Sequence, residues 1–206
     1  MSPAASTPNL IDFASKKRVI TRLLGMALIV GIVGTGHPGT SFAGTEACQL
    51  SGDVFRNYQP AKSINSVPDT QFLAGDGSKV TLQDYNGKGI VLNFWATWCA
   101  PCVREMPQLD RLAALVKGNN IEVLTVSEDR KGMELAPKFY EKNKLRDLPV
   151  LVDEKSGLLR AFKIKGLPST VLINAEGQEI GRVLGIAEWD STETVDFVRK
   201  CLSPKK

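Results

Sequence analysis

A hydrophobic strand runs directly into a helix at a pair of cysteines, Cys99 and Cys102. Residues 90–95 are apolar apart from Asn93 and rich in β-branched and aromatic side chains, which is typical of a buried strand. From Pro101 to about Lys117, apolar side chains recur at helical spacing. Cys99 is therefore predicted to lie at the N-terminus of a helix, with Cys102 one turn further along.

This position gives the two cysteines a specific chemistry. The helix dipole and the unpaired backbone amides favour an anion, so the Cys99 thiol should ionise more easily than a free thiol. A nucleophilic thiolate with a second thiol one turn away is an arrangement for disulfide exchange. We therefore predict that Cys99 attacks a substrate disulfide as the nucleophile and that Cys102 resolves the mixed disulfide.

Two other interpretations of the pair are a structural disulfide and half of a metal site. Zinc sites use the same Cys-x-x-Cys spacing but need two more ligands. The single histidine, His37, lies near the N-terminus, and the sequence contains no second Cys-x-x-Cys pair. These ligand counts favour redox chemistry, and we expect neither a metal nor another cofactor.

Charge and hydropathy divide off the N-terminal part of the chain. Residues 1–43 carry four basic residues and one acidic residue, a net charge of +3 out of the +4 of the whole chain. The remaining +1 leaves no basic face that would indicate a nucleic-acid partner. Residues 1–22 are predicted to form a cytoplasmic segment and residues 23–43 a signal or membrane anchor.

The orientation of this anchor follows from its flanking charge. Lys16, Lys17, Arg18 and Arg22 precede the apolar stretch, which places the N-terminus in the cytoplasm and the rest of the chain outside. We therefore expect an exported domain that is anchored in a membrane by this segment. Residues 41–43 also offer a small-x-small cleavage signature, so cleavage after Ala43 and retention of the anchor both stay open.

The rest of the chain is predicted to contain one compact domain, residues 67–206, after a linker with a short helix at residues 44–66. In chain order, the predicted elements are a hairpin (71–73 and 79–81), a central strand, the Cys99 helix, a second buried strand (121–126), a helix (133–144), a short strand (149–153), a helix (156–162) and an antiparallel hairpin (170–173 and 179–183). A last helix is predicted to begin near Asp190 or Ser191, with a capping box between Asp190 and Glu193. This order predicts an α/β domain, with a mixed central sheet and helices on both faces.

Several separated motifs resemble a known family. Residues 98–102 (Trp-Cys-Ala-Pro-Cys) and residues 166–170 (Gly-Leu-Pro-Ser-Thr), which precede a strand, resemble the thioredoxin fold. The N-terminal β-hairpin, the central insert that contains residues 133–144, and the run from Asn93 to Cys99 resemble the TlpA and ResA group of exported thiol-disulfide oxidoreductases. Two further stretches are closest to the TlpA branch: Glu105-Met106-Pro107 and Ala187-Glu188-Trp189.

The resemblance implies a substrate groove beside the cysteines. It implies a cis peptide bond at Pro168, packed beside Cys99, whereas an X–Pro bond is in general far more often trans. A substrate peptide would pair with the backbone exposed there as an extra strand. Trp98 and Leu167 are the predicted substrate-binding side chains, and Trp95 is predicted to lie in the core.

One position departs from thioredoxin, where an aspartate behind the second cysteine helps to move its proton. Asn93 stands at that position and cannot accept a proton. Glu105 lies three residues after Cys102, on the same helix face, and matches a functional glutamate of the ResA group. We expect Glu105 to be the proton acceptor if burial raises its pKa. The alternative is that Glu105 is a surface side chain in contact with water. Arg104, beside it, is expected to face solvent.

The two other cysteines are Cys48 and Cys201. The resemblance implies a structural disulfide that begins at Cys48, but its second position in the family is occupied here by Gln178. We predict Cys201 as the relocated partner, because two free thiols outside the cytoplasm would be a liability.

The dipeptide between the active cysteines indicates the direction of the reaction. Ala100-Pro101 has no charge and no histidine that would further stabilise the Cys99 thiolate, so we expect a reducing couple and a protein-disulfide reductase. The resemblance implies a membrane electron donor of the CcdA or DsbD type. It also implies substrates with cysteine pairs: the copper-site protein of cytochrome oxidase, its copper chaperone, or apocytochrome c.

Two alternatives to a reductase come from different classes. One is a general oxidase or isomerase that makes disulfides in secreted proteins. The other is a non-enzymatic copper-binding module. Copper chaperones of related fold need a wider cysteine spacing and a distal histidine, and residues 44–206 contain no histidine.

Overall fold

The computed structural model describes residues 56–63 and 65–204. The predicted N-terminal segment and anchor, together with Cys48, lie outside these residues. Within them, no helix combines the length and apolar character needed to span a membrane. The strands are β1 (Tyr58–Pro60), β2 (Phe72–Ala74), β3 (Lys79–Val80), β4 (Gly89–Trp95), β5 (Ile121–Ser127), β6 (Val150–Val152), β7 (Ser169–Ile173) and β8 (Glu179–Leu184); the helices are α1 (Ala100–Val116), α2 (Gly132–Asn143), α3 (Gly157–Ala161) and α4 (Thr192–Leu202).

The eight strands form one mixed sheet in the order β1-β8-β7-β4-β5-β6-β2-β3. The central strand β4 pairs parallel with β5 and antiparallel with β7. A parallel pair needs a crossover connection, and α1 supplies it between β4 and β5. β2 and β3 form the predicted hairpin, and β2 pairs antiparallel with β6, which was not predicted from the sequence.

Helices cover both faces of the sheet, which confirms the predicted α/β architecture. One core cluster contains buried side chains of α1, α2 and α4, and the other contains those of α3 and the β2 strand. Along β4, Val91 and Trp95 belong to the first cluster, whereas Ile90, Leu92 and Phe94 belong to the second. Because side chains alternate along a strand, Asn93 faces α1.

The predicted short helix within residues 44–66 is wrong at its C-terminal part. Tyr58–Pro60 is an edge strand that pairs antiparallel with β8. The Tyr58 hydroxyl donates a hydrogen bond to the Ile180 carbonyl, and the Tyr58 ring occupies the space that a side chain at position 181 would fill. The absence of a side chain at Gly181 therefore leaves room for the Tyr58 ring when β1 pairs with β8. The residues around Tyr58 give no local signal of this contact.

The predicted capping box of the last helix is also wrong. Ser191 is the N-cap of α4, and its hydroxyl accepts the Thr194 amide hydrogen at 3.2 Å. Asp190 instead accepts a hydrogen bond from Arg111 of α1 at 2.7 Å. Asp and Ser are both favourable N-cap residues. Because Asp190 forms an ion pair with Arg111, Ser191 is the residue that caps α4.

Candidate active site

The two central cysteines form a disulfide at the junction between β4 and α1. The Cys99–Cys102 bond spans a Cα–Cα distance of 5.3 Å. Cys99 is the N-cap of α1, and its sulfur accepts the Cys102 amide hydrogen at 3.3 Å. Cys99 is 6% exposed, whereas Cys102 is completely buried. An incoming sulfur therefore reaches Cys99 more readily than Cys102.

The local geometry favours negative charge on the Cys99 sulfur. The first turn of α1 contains no acidic residue. After reduction, a Cys99 thiolate in this position would accept the same amide hydrogen and would interact favourably with the helix dipole. Such an arrangement lowers the cost of an attacking thiolate, as disulfide exchange requires.

A cis peptide bond precedes the strand next to β4. The Leu167–Pro168 bond is cis, and the Pro168 carbonyl accepts the Gly185 amide hydrogen at 3.0 Å. Leu167 packs against the core cluster that contains both cysteines. Ser169 pairs with Phe94, so Pro168 lies near the carboxyl end of β4, the end from which the chain continues to Cys99 and α1. The predicted packing of Pro168 against Cys99 itself stays a prediction.

The two tryptophans near the cysteines have different environments. Trp95 is completely buried and packs against Phe139, with ring centroids 4.7 Å apart. Trp98 precedes Cys99 and is 71% exposed. An exposed aromatic ring beside a reactive sulfur is available for contact with a substrate.

Glu105, three residues after Cys102 on α1, has a buried carboxyl group and is not a surface side chain. It is 2% exposed, and it accepts hydrogen bonds from Asn93 Nδ2 and Trp189 Nε1, each at 2.9 Å. Burial raises the pKa of Glu105 to about 7, although the donors from Trp189, Asn93 and the Ala187 backbone lower it. A carboxyl group with this pKa can accept and release a proton near neutral pH.

Asn93 connects Glu105 to the strand that follows the cis proline. Its Nδ2 also donates to Thr170 Oγ1 at 3.0 Å. Its buried Oδ1 has no hydrogen-bond partner among the described residues. The Asn93 amide therefore binds the Glu105 carboxyl group. The role of Glu105 as the proton acceptor in place of the thioredoxin aspartate stays a prediction.

Sequence reasoning missed two residues of the site. Trp189 binds Glu105 from a position 84 residues away. Asp129 is buried after the end of β5, where its carboxylate accepts hydrogen bonds from the Thr97 amide at 2.9 Å and from the Thr97 hydroxyl at 2.8 Å. Since β4 and β5 are parallel, their carboxyl ends share one edge of the sheet. The positions of Thr97 and Asp129 just after these two strands could therefore have predicted their contact.

We expect substitution of Asp129 with alanine to lower the free energy of unfolding by about 3 kcal/mol, because it leaves the partly buried Thr97 donors and the buried Ser127 hydroxyl without their charged acceptor. Urea unfolding of the oxidised protein measures the change. Asp69→Ala, at an exposed position, is the control and should change the value by less than about 0.5 kcal/mol. Equal stability of the two variants would show that Asp129 does not hold the loop before Cys99.

The mixed sheet, the disulfide at the start of α1 and the cis proline before β7 are the features of a thioredoxin-fold thiol-disulfide oxidoreductase. Residues 64–178 match the AhpC/TSA family. The thiol-disulfide oxidoreductase ResA of Bacillus cereus (strain ATCC 10987 / NRS 248) is 33% identical over 185 residues, which cover 90% of this chain and 97% of the relative. ResA of Geobacillus kaustophilus is 35% identical over 129 residues, or 61% of this chain and 73% of the relative.

Solved structures share the architecture. A crystal structure assigned as the thiol:disulfide interchange protein DsbE from Chlorobium tepidum superposes with a TM-score of 0.61 at 26% identity, and the match covers 69% of this chain and 99% of that one. The exposed lipoprotein thioredoxin Etrx1 of Streptococcus pneumoniae gives a TM-score of 0.53 at 31% identity, covering 63% and 98%. The chain thus belongs to the AhpC/TSA family and, within it, to the ResA-like thiol-disulfide oxidoreductases, which confirms the resemblance and the enzyme class.

Proposed function

We propose that this protein is an exported reductase of protein disulfides. The observation that carries the proposal is the environment of the Cys99 sulfur. It receives one amide hydrogen bond, from Cys102, and the residues between the cysteines, Ala100 and Pro101, are uncharged. A strongly oxidising couple owes its potential to a specially stabilised reduced form, and this pair lacks a histidine or charged group that would supply one.

The reaction begins with the reduced protein. The Cys99 thiolate attacks one sulfur of a substrate disulfide, so a mixed disulfide forms as the substrate bond breaks, and the released substrate thiolate takes a proton. The Cys102 thiol then passes its proton to the Glu105 carboxylate and attacks Cys99. The Cys99–Cys102 bond forms as the mixed disulfide breaks, and the second substrate sulfur leaves as a thiolate that takes a proton from solvent. The substrate has then gained two electrons and two protons.

Turnover then needs a supply of two electrons to the oxidised protein. A membrane thiol transporter of the CcdA or DsbD type is the proposed donor, because a reductant outside the cytoplasm must be recharged across the membrane. The positive segment before residues 23–43 supports a periplasmic domain with an inner-membrane anchor. The proposed substrates are the copper-site protein of cytochrome oxidase, its copper chaperone or apocytochrome c, as the family resemblance implies.

The reduction potential tests the direction of the reaction. Equilibration with a thiol-disulfide buffer, followed by fluorescence or by alkylation and mass measurement, gives the value for the Cys99–Cys102 pair. We expect a potential close to that of thioredoxin, about −270 mV. A value near that of DsbA, about −120 mV, would contradict the reductase and favour an oxidase.

The structural disulfide is a separate part of the proposal. Cys201 is buried near the end of α4, and its sulfur is not free. Cys48 lies outside the described residues, so the bond between them stays a prediction. Peptide mapping of the non-reduced protein identifies the partner of Cys201.

A further inference from the structure

A groove lies beside the cis proline. It has a volume of about 620 Å³ and is lined by residues 163–169 together with Gln59, Arg182, Leu184 and Gly185. Leu167 and Pro168 are part of its wall, so the groove is continuous with the loop at which a substrate peptide is proposed to pair. We call it the Pro168 groove.

The wall of the Pro168 groove has an excess of positive charge. It contains Lys163, Lys165 and Arg182 and no acidic side chain. Arg182 is balanced, because Glu179 binds its guanidinium group through two hydrogen bonds. Lys163 and Lys165 are exposed, and neither forms an ion pair with another described residue. The groove therefore presents two uncompensated cations to its occupant.

The backbone fixes the positions of these two lysines. Ile164 lies between them and is buried in the core cluster that contains α3. The Lys163 and Ile164 amides donate to the carbonyls of Arg160 and Leu159, so the segment closes the end of α3. With Ile164 anchored inward, the lysine on either side of it extends into solvent at the groove.

Apolar surface completes the Pro168 groove. Leu167 is half-buried, and Leu184, which also lines the groove, is 37% exposed. A cationic rim with apolar contacts suits an extended polypeptide that carries carboxylates and an apolar side chain. Charge complementarity of this kind speeds association and selects among partners more than it adds affinity.

We propose that the Pro168 groove selects substrate polypeptides with acidic residues a few positions from the cysteine that Cys99 attacks. This inference rests on the proposed function, since it names the substrate class of the same site. Lys163 and Lys165 act as specificity-determining residues: they attract the acidic segment and thereby hold the substrate disulfide near Cys99. They take no part in the transfer of electrons or protons.

Three cyclic disulfide peptides test the proposal with the full-length, pre-reduced protein. They differ only in two residues beside one cysteine, which are aspartates, asparagines or lysines. Each rate is divided by the rate of reduction of the same peptide by dithiothreitol, which removes differences in intrinsic reactivity. We expect the aspartate peptide to react about tenfold faster than the asparagine peptide at low salt, with the lysine peptide slowest, and the differences to shrink at high salt.

The double variant Lys163→Glu/Lys165→Glu should reverse the order of the three peptides. Its matched control is Lys142→Glu/Lys144→Glu, which changes the same charge at the same spacing at exposed positions, and Lys144 has a positive φ of 57° where Lys163 has 55°. The control should keep the order of the unaltered protein. Circular dichroism verifies that both variants are folded.

The outcomes separate this inference from the proposed function. Equal normalised rates for the three peptides, or an order that survives Lys163→Glu/Lys165→Glu, would overturn the inference and leave the reductase intact. If the protein reduced none of the three peptides, the result would overturn the proposed function and the inference with it.

Discussion

We expect substitution of Cys99 with serine to reduce disulfide reduction to the uncatalysed background, because it removes the sulfur that opens the reaction. Substitution of Cys102 with serine has a different effect. Cys99 still attacks, but no sulfur remains to resolve the mixed disulfide, so a covalent adduct with the substrate accumulates. Insulin reduction measures the loss of turnover, and non-reducing electrophoresis with mass spectrometry measures the adduct. The adducts formed in cells by the Cys102→Ser variant would also identify the physiological substrates.

The burial of Cys102 makes the contrast between the two variants specific. Cys102 is completely buried beneath Cys99, so we do not expect it to replace Cys99 as the attacking sulfur. The control is the unaltered protein in its oxidised form, which has no free Cys99 thiol and should form no adduct when it is treated in the same way. Adducts with the Cys99→Ser variant in place of Cys102→Ser would reverse the assigned roles.

We expect substitution of Glu105 with glutamine to slow the resolving step by about 100-fold at pH 8, because it removes the group proposed to accept the Cys102 proton. Burial raises the pKa of Glu105 to about 7. The carboxyl group accepts a proton only when it is ionised, above that pH. The rate of the unaltered protein should therefore rise as the pH passes through about 7, and the variant should lack this rise. Single-turnover reduction of excess substrate between pH 5 and 9 measures both properties.

Two further variants separate proton transfer from packing. Glu105→Asp keeps the carboxyl group and should retain a rise with pH, although Asn93 and Trp189 bind a shorter side chain. Glu141→Gln, at an exposed position on α2, should leave the profile unchanged. An identical rate and pH midpoint in Glu105→Gln and the unaltered protein would show that Glu105 carries no proton for Cys102.

Local sequence patterns were sufficient to predict the framework of the site. The run at residues 90–95 and the helical spacing after Pro101 each depend on side chains within a single element. Together they position Cys99 at the N-terminus of α1 and Glu105 on the helix face of Cys102. The alternation along β4 also explains why Asn93 faces α1, since side chains of a strand point to opposite faces.

Contacts between distant segments could not be predicted in the same way. The sequence indicates that Glu105 lies on a helix face, but the hydrogen bond from Trp189 depends on the course of the chain after β8, 84 residues later. Asp129 similarly binds Thr97 across two neighbouring strands. The cis bond before Pro168 was expected from the family resemblance alone, because an isolated Leu-Pro pair gives no local reason for it.

Elements of marginal length were the least predictable. Tyr58–Pro60 is a three-residue strand, and its formation depends on an open edge at β8 and on the space above Gly181. Either Asp190 or Ser191 could cap the start of α4. Asp190 forms an ion pair with Arg111, and Ser191 is the N-cap. In each case, a partner outside the local sequence decides between two acceptable conformations.

The central claim is that Cys99 is the more acidic and more accessible sulfur of the pair and opens every reaction. The rates at which Cys99 and Cys102 of the reduced protein are alkylated, followed by mass spectrometry from pH 4 to 9, test it directly. We predict that Cys99 is modified first and that its rate rises with an apparent pKa well below the ordinary thiol value of about 8.5. Faster modification of Cys102, or a Cys99 pKa equal to that of an ordinary thiol, would contradict the account.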